Sequence, residues 1–565
     1  MTQRVPLLAA APGLAVAILL GPVICGVLAT VLPAFGYLPS LGGNTITVDH
    51  FHALFAMPGM GRSIMLSFCS GIITTLVALT VVMLFVAGSH GTESFARVQH
   101  LLSPLLAVPH AAAAFGLAFL IAPSGMIVRF LSPWLTGSTR PPDLLILQDP
   151  WGLAMMAGLI AKEIPFLLLV TLAALPQAQV EPARRLSQSF GYGRISGFLF
   201  TTWPRIYAQI RLAVFAVLAY ATSVVDVAVI LGPSTPSTLA VRLAQLMADP
   251  DIALRFVASA GALVQFTVTL AAIATWWLLE RLAGAVMQWL RTRGQRFSRD
   301  GAVRAGVFTL TATIGAMLVA GLAILALWSL AGFWRFPDNL PQSFTLSNWT
   351  RARPALSGPL QSTLATGVLV TLIAAGLALA CLEREWRVGH RMGKKALVFI
   401  YLPLIVPQVS FVFGLQIFFL QLGYDGTFIA LAMVHLIFVL PYVFLSLSDP
   451  WRAWDPRYGL LAQGLGASPT KVFWRVRLPM ILKPLLTAAA VGFAVSIGQY
   501  LPTLLIGAGR WPSITTEAVA LASGGNRRII GVYAFVQMAL PFVAFALAAA
   551  IPAFLFRHRR DMKAA

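Results

Sequence analysis

Charge is scarce in this chain, and negative charge scarcer still. Only 10% of its 565 residues are charged, with 19 Asp and Glu against 40 Lys and Arg, whereas a soluble domain averages about 25% charged. That poverty excludes an ordinary soluble fold. Cysteine is limited to Cys25, Cys69 and Cys381, each inside an apolar run and none at paired spacing. Neither a disulfide framework nor a thiolate metal site is indicated, so no metal or cofactor is expected on this chain. No G-x-x-x-x-G-K-[ST] run is present to cradle nucleotide phosphates, and no polar stretch is long enough for a soluble nucleotide-hydrolysing domain. The histidines are scattered, with His50 and His52 in one loop, and the carboxylates show no spacing suited to acid–base work. No catalytic residue is expected.

What is abundant is apolar sequence. The chain is 58% hydrophobic with a mean hydropathy of +0.82, which places it among polytopic membrane proteins. Stretches long enough to cross a bilayer lie near residues 7–33, 63–87, 101–122, 152–175, 206–232, 256–280, 305–332, 361–382, 396–421, 427–447, 482–507 and 529–556. The expected fold is all-α, with about twelve transmembrane helices. The first stretch is too long for a signal peptide and has no small-residue cleavage site before Pro33, so it reads as a retained span.

The formal charge of +21 does not signify nucleic acid, because the basic residues are distributed by loop and form no patch interleaved with aromatics. The N-terminus, the loops at 88–100, 177–205, 281–304, 383–395 and 449–483, and the tail after Phe556 hold 27 Lys and Arg, against 11 in the alternate loops. This asymmetry predicts a multi-pass protein in membrane lipid with both termini cytoplasmic.

Two of those loops repeat one another. RRLSQSFGYGRISGFLFTTWPRI begins at Arg184 and GLLAQGLGASPTKVFWRVRLPMI at Gly459, and an offset of 275 aligns Leu186, Gln188, Gly191, Phe198, Pro204 and Ile206 with Leu461, Gln463, Gly466, Phe473, Pro479 and Ile481. Gly232 and Gly507 share that offset, while Pro109 and Gly116 match Pro407 and Gly414 at 298. A duplication with loop insertions is implied: two tandem homologous six-helix bundles. The basic stretch 281–304, with RTRGQRFSRDG at its centre, reads as the cytoplasmic linker between them. Interior prolines at Pro104, Pro109, Pro165, Pro403, Pro407 and Pro441 are expected to bend their helices.

Within each repeated loop the spacing predicts a helix-turn-helix. Gly466 suits the left-handed end of a short helix and Ser468-Pro469 a cap and first turn, followed by Val472, Phe473 and Val476 on one face among Lys471, Arg475 and Arg477. Gly193-Arg194-Ile195-Ser196 in the first copy is a poorer cap. The shared interval from Gly191 to Pro204 and from Gly466 to Pro479 resembles the signature loop of the type I membrane subunits of binding-protein-dependent ABC importers, which reads EAA, three residues, Gly, then a hydrophobic stretch ending in Pro. The chain departs from it in the acidic start, having Arg185 and Leu460 there and only Ala462 of the alanines.

The resemblance implies a permease subunit in a bacterial inner membrane, with a first transmembrane domain at 59–280 and a second at 358–556. Around them lie a span and outer loop at 1–58, the linker at 281–304, a seventh span and outer loop at 305–357, and a basic tail at 557–565. It also implies a separate ABC ATPase homodimer that binds ATP, a periplasmic or lipid-anchored solute-binding protein, and coupling through Gly191, Phe198, Pro204, Gly466, Phe473 and Pro479, with Phe198 and Phe473 as anchors. Two fused halves on one chain are similar to the ferric iron and thiamine group, so the implied cargo is iron(III), thiamine or a similar small solute.

Ionisable and polar groups within the spans are the candidates for a translocation pathway, because charge in hydrocarbon normally faces a cavity or a partner. These are Lys162 and Glu163, Asp226, His435 and Gln499. Adjacent helical residues point about 100° apart, so only one of Lys162 and Glu163 can face a route. Lys162, Glu163 or Asp226 would also serve an alternative reading as an ion-coupled secondary transporter with repeated halves, which leaves the duplicated loops unexplained.

Overall fold

The structure, a computed structural model, describes residues 6–389 and 393–557. It is helical almost throughout, as a chain in hydrocarbon must be, since lipid offers no partner for an unpaired backbone group. Among the described residues ten helices are long and apolar enough to cross a membrane, and two bent pairs, each counted as one span, bring the total to twelve. The bent pairs are Leu397–Ile405 with Gln408–Gln421, at 89°, and Pro469–Met480 with Leu482–Ile497, at 73°. Leu14, Ile24 and Leu28 on the first helix and Val543 and Leu547 on the last remain exposed, an apolar surface that suits lipid.

Several expected spans are interrupted. The stretch 101–122 divides into Glu93–Leu102, a tight turn at Ser103–Ala107 and the helix His110–Ile121, so Pro109 stands at a helix start and does not bend a helix interior. Pro407 plays the same part before Gln408–Gln421. The stretch 206–232 breaks between Trp203–Ser223 and Asp226–Leu231, and 482–507 breaks at residues 498–500 between Leu482–Ile497 and Leu501–Gly507. The linker is shorter than expected, because Leu254–Thr292 continues as helix well past the apolar run and Gly301–Leu330 starts soon after. Only residues 293–300 lie between them. The tail after Arg557 is outside the described residues.

Buried side chains repair the breaks, and they do so in the same way in both halves. Gln265 Nε2 donates to the Thr222 carbonyl at 3.1 Å. In the second half Gln537 Nε2 donates to Thr515 Oγ1 at 2.8 Å, and Thr515 in turn donates to the Ile497 carbonyl, 275 positions after Thr222. The amide of Leu239 donates to Ser67 Oγ and that of Ile514 to Thr363 Oγ1, both at 3.0 Å and again 275 apart. A freed carbonyl or amide in a dry interior costs more than an ordinary hydrogen bond contributes, so these polar groups are structural.

The halves are interlocked. The first helix, Pro6–Ala34, crosses Gln408–Gln421 of the second half where Gly26 meets Gly414, and Gly301–Leu330 crosses His110–Ile121 of the first half where Gly321 meets Gly116. At both crossings a Cβ would collide with the facing backbone. Ala11 and Leu19 of the first helix accordingly belong to the second half's core with Val439, Val443 and Trp451. Followed through its crossings, the chain places both repeated loops, residues 293–300 and both described ends on one face.

Candidate transport route and docking loops

Between the halves, at membrane depth, the breaks gather polar side chains. Glu163 is buried on Leu153–Ala174, and its Oε1 lies 3.1 Å from Nε2 of His110, the first residue after the Pro109 break. The His110 ring sits 4.7 Å from that of Tyr220, whose hydroxyl donates to Asp226 Oδ1 at 3.5 Å. Asp226 is buried and opens the short helix beyond the other first-half break. From the second half, Tyr442 comes within electrostatic reach of Glu163 and Tyr220, and Tyr500 within reach of Asp226. Two carboxylates, an imidazole and three phenols therefore converge where irregular backbone is tolerated only because protein surrounds it.

Lys162 takes no part in this cluster. Its Nζ donates to the carbonyls of Leu105 and Leu106 at 2.8 and 3.2 Å, in the tight turn where Pro109 has no amide to offer and Leu105 otherwise accepts only the Val108 amide at 3.3 Å. The lysine closes a backbone defect while its neighbour faces the cluster, as the angular separation of adjacent helical residues requires. His435 bridges the second-half break, with Nδ1 2.9 Å from Ser496 Oγ and Nε2 2.9 Å from Thr503 Oγ1. Gln499 is buried in the second-half break, its Oε1 without a hydrogen-bond partner. His110, Tyr220 and Tyr442 escaped the sequence reading, although His110 follows the paired Pro109 and Tyr220 precedes Asp226 by six residues.

The repeated loops fold as helix-turn-helix units. Gly191 and Gly466 take the left-handed conformation, with φ of 79° and 84°, and Ser468 Oγ accepts the Lys471 amide at 3.3 Å. The face they present differs from the expected one. Phe198 is only 7% exposed, packed inward 6.5 Å from Trp203, and Phe473 is half-buried against Trp451. Neither can be a projecting anchor, because the second helix of each unit lies against the bundle. The exposed apolar side chains include Leu186 and Phe190 in the first loop and Leu461 and Leu465 in the second, where Leu460 is exposed as well. The pairs match at the offset of 275, and a spacing of four sets each on one face. Trp474 is also exposed. Pro204 lies in the first turn of Trp203–Ser223, and Pro479 lies inside the bent helix, which turns only at Ile481.

The second loop is fastened by Arg477, a residue only 2% exposed. It donates to Glu383 Oε2 at 3.3 Å and to the Trp451 carbonyl at 3.2 Å, with the rings of Trp451, Trp454 and Trp386 at 3.9, 4.7 and 4.9 Å. Arg452 meets Glu385 through two hydrogen bonds of 2.9 Å, so the end of Ser347–Val388 holds the loop at two points.

Comparison with known proteins agrees with this arrangement. Over 536 residues the chain is 31% identical to the inner membrane ABC transporter permease protein YnjC of Escherichia coli (strain K12), covering 95% of this chain and 94% of that protein. Residues 367–560 match the family of binding-protein-dependent transport system inner membrane components. The chain belongs to this permease family. The permease is also 28% identical over 204 residues to the molybdenum transport system permease protein ModB of Mycobacterium tuberculosis, covering 34% of this chain and 75% of that protein. A spermidine/putrescine transport system permease protein PotC homolog of Mycoplasma genitalium is 25% identical over 170 residues, covering 29% of the permease and 60% of that homolog.

Proposed function

We propose that the permease conducts a small cationic solute, handed over by a separate binding protein, and that a separate ABC ATPase homodimer docks on its two repeated loops. The coupling rests on one observation: Leu186 with Phe190 and Leu461 with Leu465 are matched apolar pairs, exposed on the same face of a membrane protein of this family. An amphipathic helix of this kind seats in a groove by such anchors. The docking face is the cytoplasmic one, in a bacterial inner membrane, as the 27 to 11 division of basic residues favours. In a background lacking Cys25, Cys69 and Cys381, cysteines placed at Arg194 and Lys471 should resist a membrane-impermeant thiol reagent in spheroplasts and react once the membrane is opened. Labelling of either from outside sinks the orientation.

The charge class of the cargo follows from the cluster between the halves. Glu163 and Asp226 are its acidic members, Lys162 is turned to backbone carbonyls, and the phenols of Tyr220, Tyr442 and Tyr500 complete it. Carboxylates attract cations and repel oxyanions. Among the solutes that the family resemblance suggests, iron(III) and thiamine satisfy this condition, and a polyamine does so as well. Glu163→Gln with Asp226→Asn is expected to lower uptake by about tenfold or more, since a charge at contact is worth about 1 kcal/mol in bulk water and about 4 kcal/mol at an effective dielectric near 20, and about 1.4 kcal/mol is tenfold. Solute-dependent uptake in proteoliposomes, with spermidine, thiamine and molybdate as competitors, checks it. Competition by molybdate alone would reverse the assignment.

A further inference from the structure

The two docking loops are capped by different means. In the second, Ser468 occupies the cap position and its own hydroxyl accepts the Lys471 amide. The residue 275 positions earlier is Gly193, which has no side chain to offer. Its helix, Arg194–Thr201, is capped from outside: Asp300 Oδ2 accepts the Ile195 amide at 2.8 Å. The Arg296 carbonyl accepts the Gly193 amide at 3.1 Å and Ser196 Oγ at 2.7 Å. All of these acceptors lie in the short segment that joins the two halves.

The fit is mutual. A Cβ on Gly193 would collide with the Phe297 carbonyl, so the residue that would cap this helix itself cannot stand there while the joining segment is in place. Asp300 also lies 3.8 Å from Arg304, whose Nε donates to the Gly88 carbonyl at 3.1 Å, tying the same segment to the end of Met60–Ser89. A carboxylate at a helix N-terminus satisfies an orphan amide and meets the positive end of the helix dipole.

We propose that residues 296–300 are a positioning element of the transport machinery: the junction between the halves caps and sets the helix of the first docking loop, whereas the second loop caps its own helix. This goes beyond joining two repeats and rests on the importer reading given above. It makes the two ATPase contacts unequal, with the first responding to any displacement of one half against the other through Asp300.

The test separates geometry from coupling. Hydrogen exchange on the purified permease alone should show the amides of residues 195–198 exchanging about fivefold faster in Asp300→Ala, the size of a typical lost helix cap, with those of residues 471–473 unmoved. Asp300→Asn keeps an acceptor and should stay close to the unaltered protein. Replacing residues 296–300 by a Gly-Ser segment of equal length should reproduce Asp300→Ala, and adding Gly193→Ser to that variant should restore protection, because the serine cap then has room. Gly193→Ser with the natural segment should instead loosen the loop. With the ATPase and binding protein in proteoliposomes, Asp300→Ala should lower solute-stimulated hydrolysis more than basal hydrolysis. Unchanged exchange at residues 195–198 in both Asp300→Ala and the Gly-Ser variant overturns the positioning role, as does equal stimulation of hydrolysis in Asp300→Ala and the unaltered protein. A permease that binds no ATPase at all overturns the importer reading instead, and the exchange data still decide the positioning role.

Discussion

Leu461→Ala combined with Leu465→Ala is expected to cost about 2 kcal/mol or more of ATPase association, roughly thirty-fold in affinity, because truncating apolar anchors at the centre of an interface is what removes most binding energy. Leu465 is 83% exposed and backed by no neighbouring core, so its side chain is free to enter a groove on the docking partner. Lys471→Ala, at a solvated rim position, is expected to cost under about 1 kcal/mol. Phe473→Ala acts differently, for its ring already packs 6.2 Å from Trp451 and its loss weakens the loop from within. Affinity of the detergent-purified permease for the immobilised ATPase measures all three variants. If the double variant binds as the unaltered protein does, the exposed pairs are not the docking face.

Arg477→Ala is expected to destabilise the second half by about 3 kcal/mol, the low end of what breaking a buried ion pair costs, because Glu383 retains Arg387 at 2.6 Å. What is lost is the donor to the Trp451 carbonyl and the cation enclosed by Trp451, Trp454 and Trp386. Arg477→Lys should rescue little, since an ammonium cannot span both acceptors in the plane that stacks on those rings. Arg475→Ala, at an exposed site on the same turn, should change stability by under about 0.5 kcal/mol. The thermal midpoint in detergent distinguishes them. Equal midpoints for the Arg477→Ala and Arg475→Ala variants would show that the aromatic enclosure contributes nothing net.

Much of the architecture of the repeated loops is legible from residue types. Gly466 and Ser468-Pro469 specify a left-handed turn and a helix start wherever they occur, and both form as read. Phe198 and Phe473 mislead because periodicity marks an apolar face without saying which side the bundle occupies. The same limit applies to Lys162 and Glu163, adjacent in sequence but assigned to different tasks by a tight turn some 57 residues away. Arg281 and Arg291 suggested a linker, yet charge only ends the apolar run, and a helix continues into water without it.

Composition and spacing alone determined the solvent, the helices, the duplication and the positions of the paired turns, since a backbone in lipid must bond to itself within each span and Gly, Ser and Pro act on their own φ and ψ. Tertiary structure decided which face of each helix is used, which of Lys162 and Glu163 meets the cluster between the halves, and how the halves exchange their first helices at Gly26–Gly414 and Gly116–Gly321. It also decided that Asp300 caps a helix more than a hundred residues before it. These depend on rotations and close approaches between elements far apart in the chain, which no local propensity encodes.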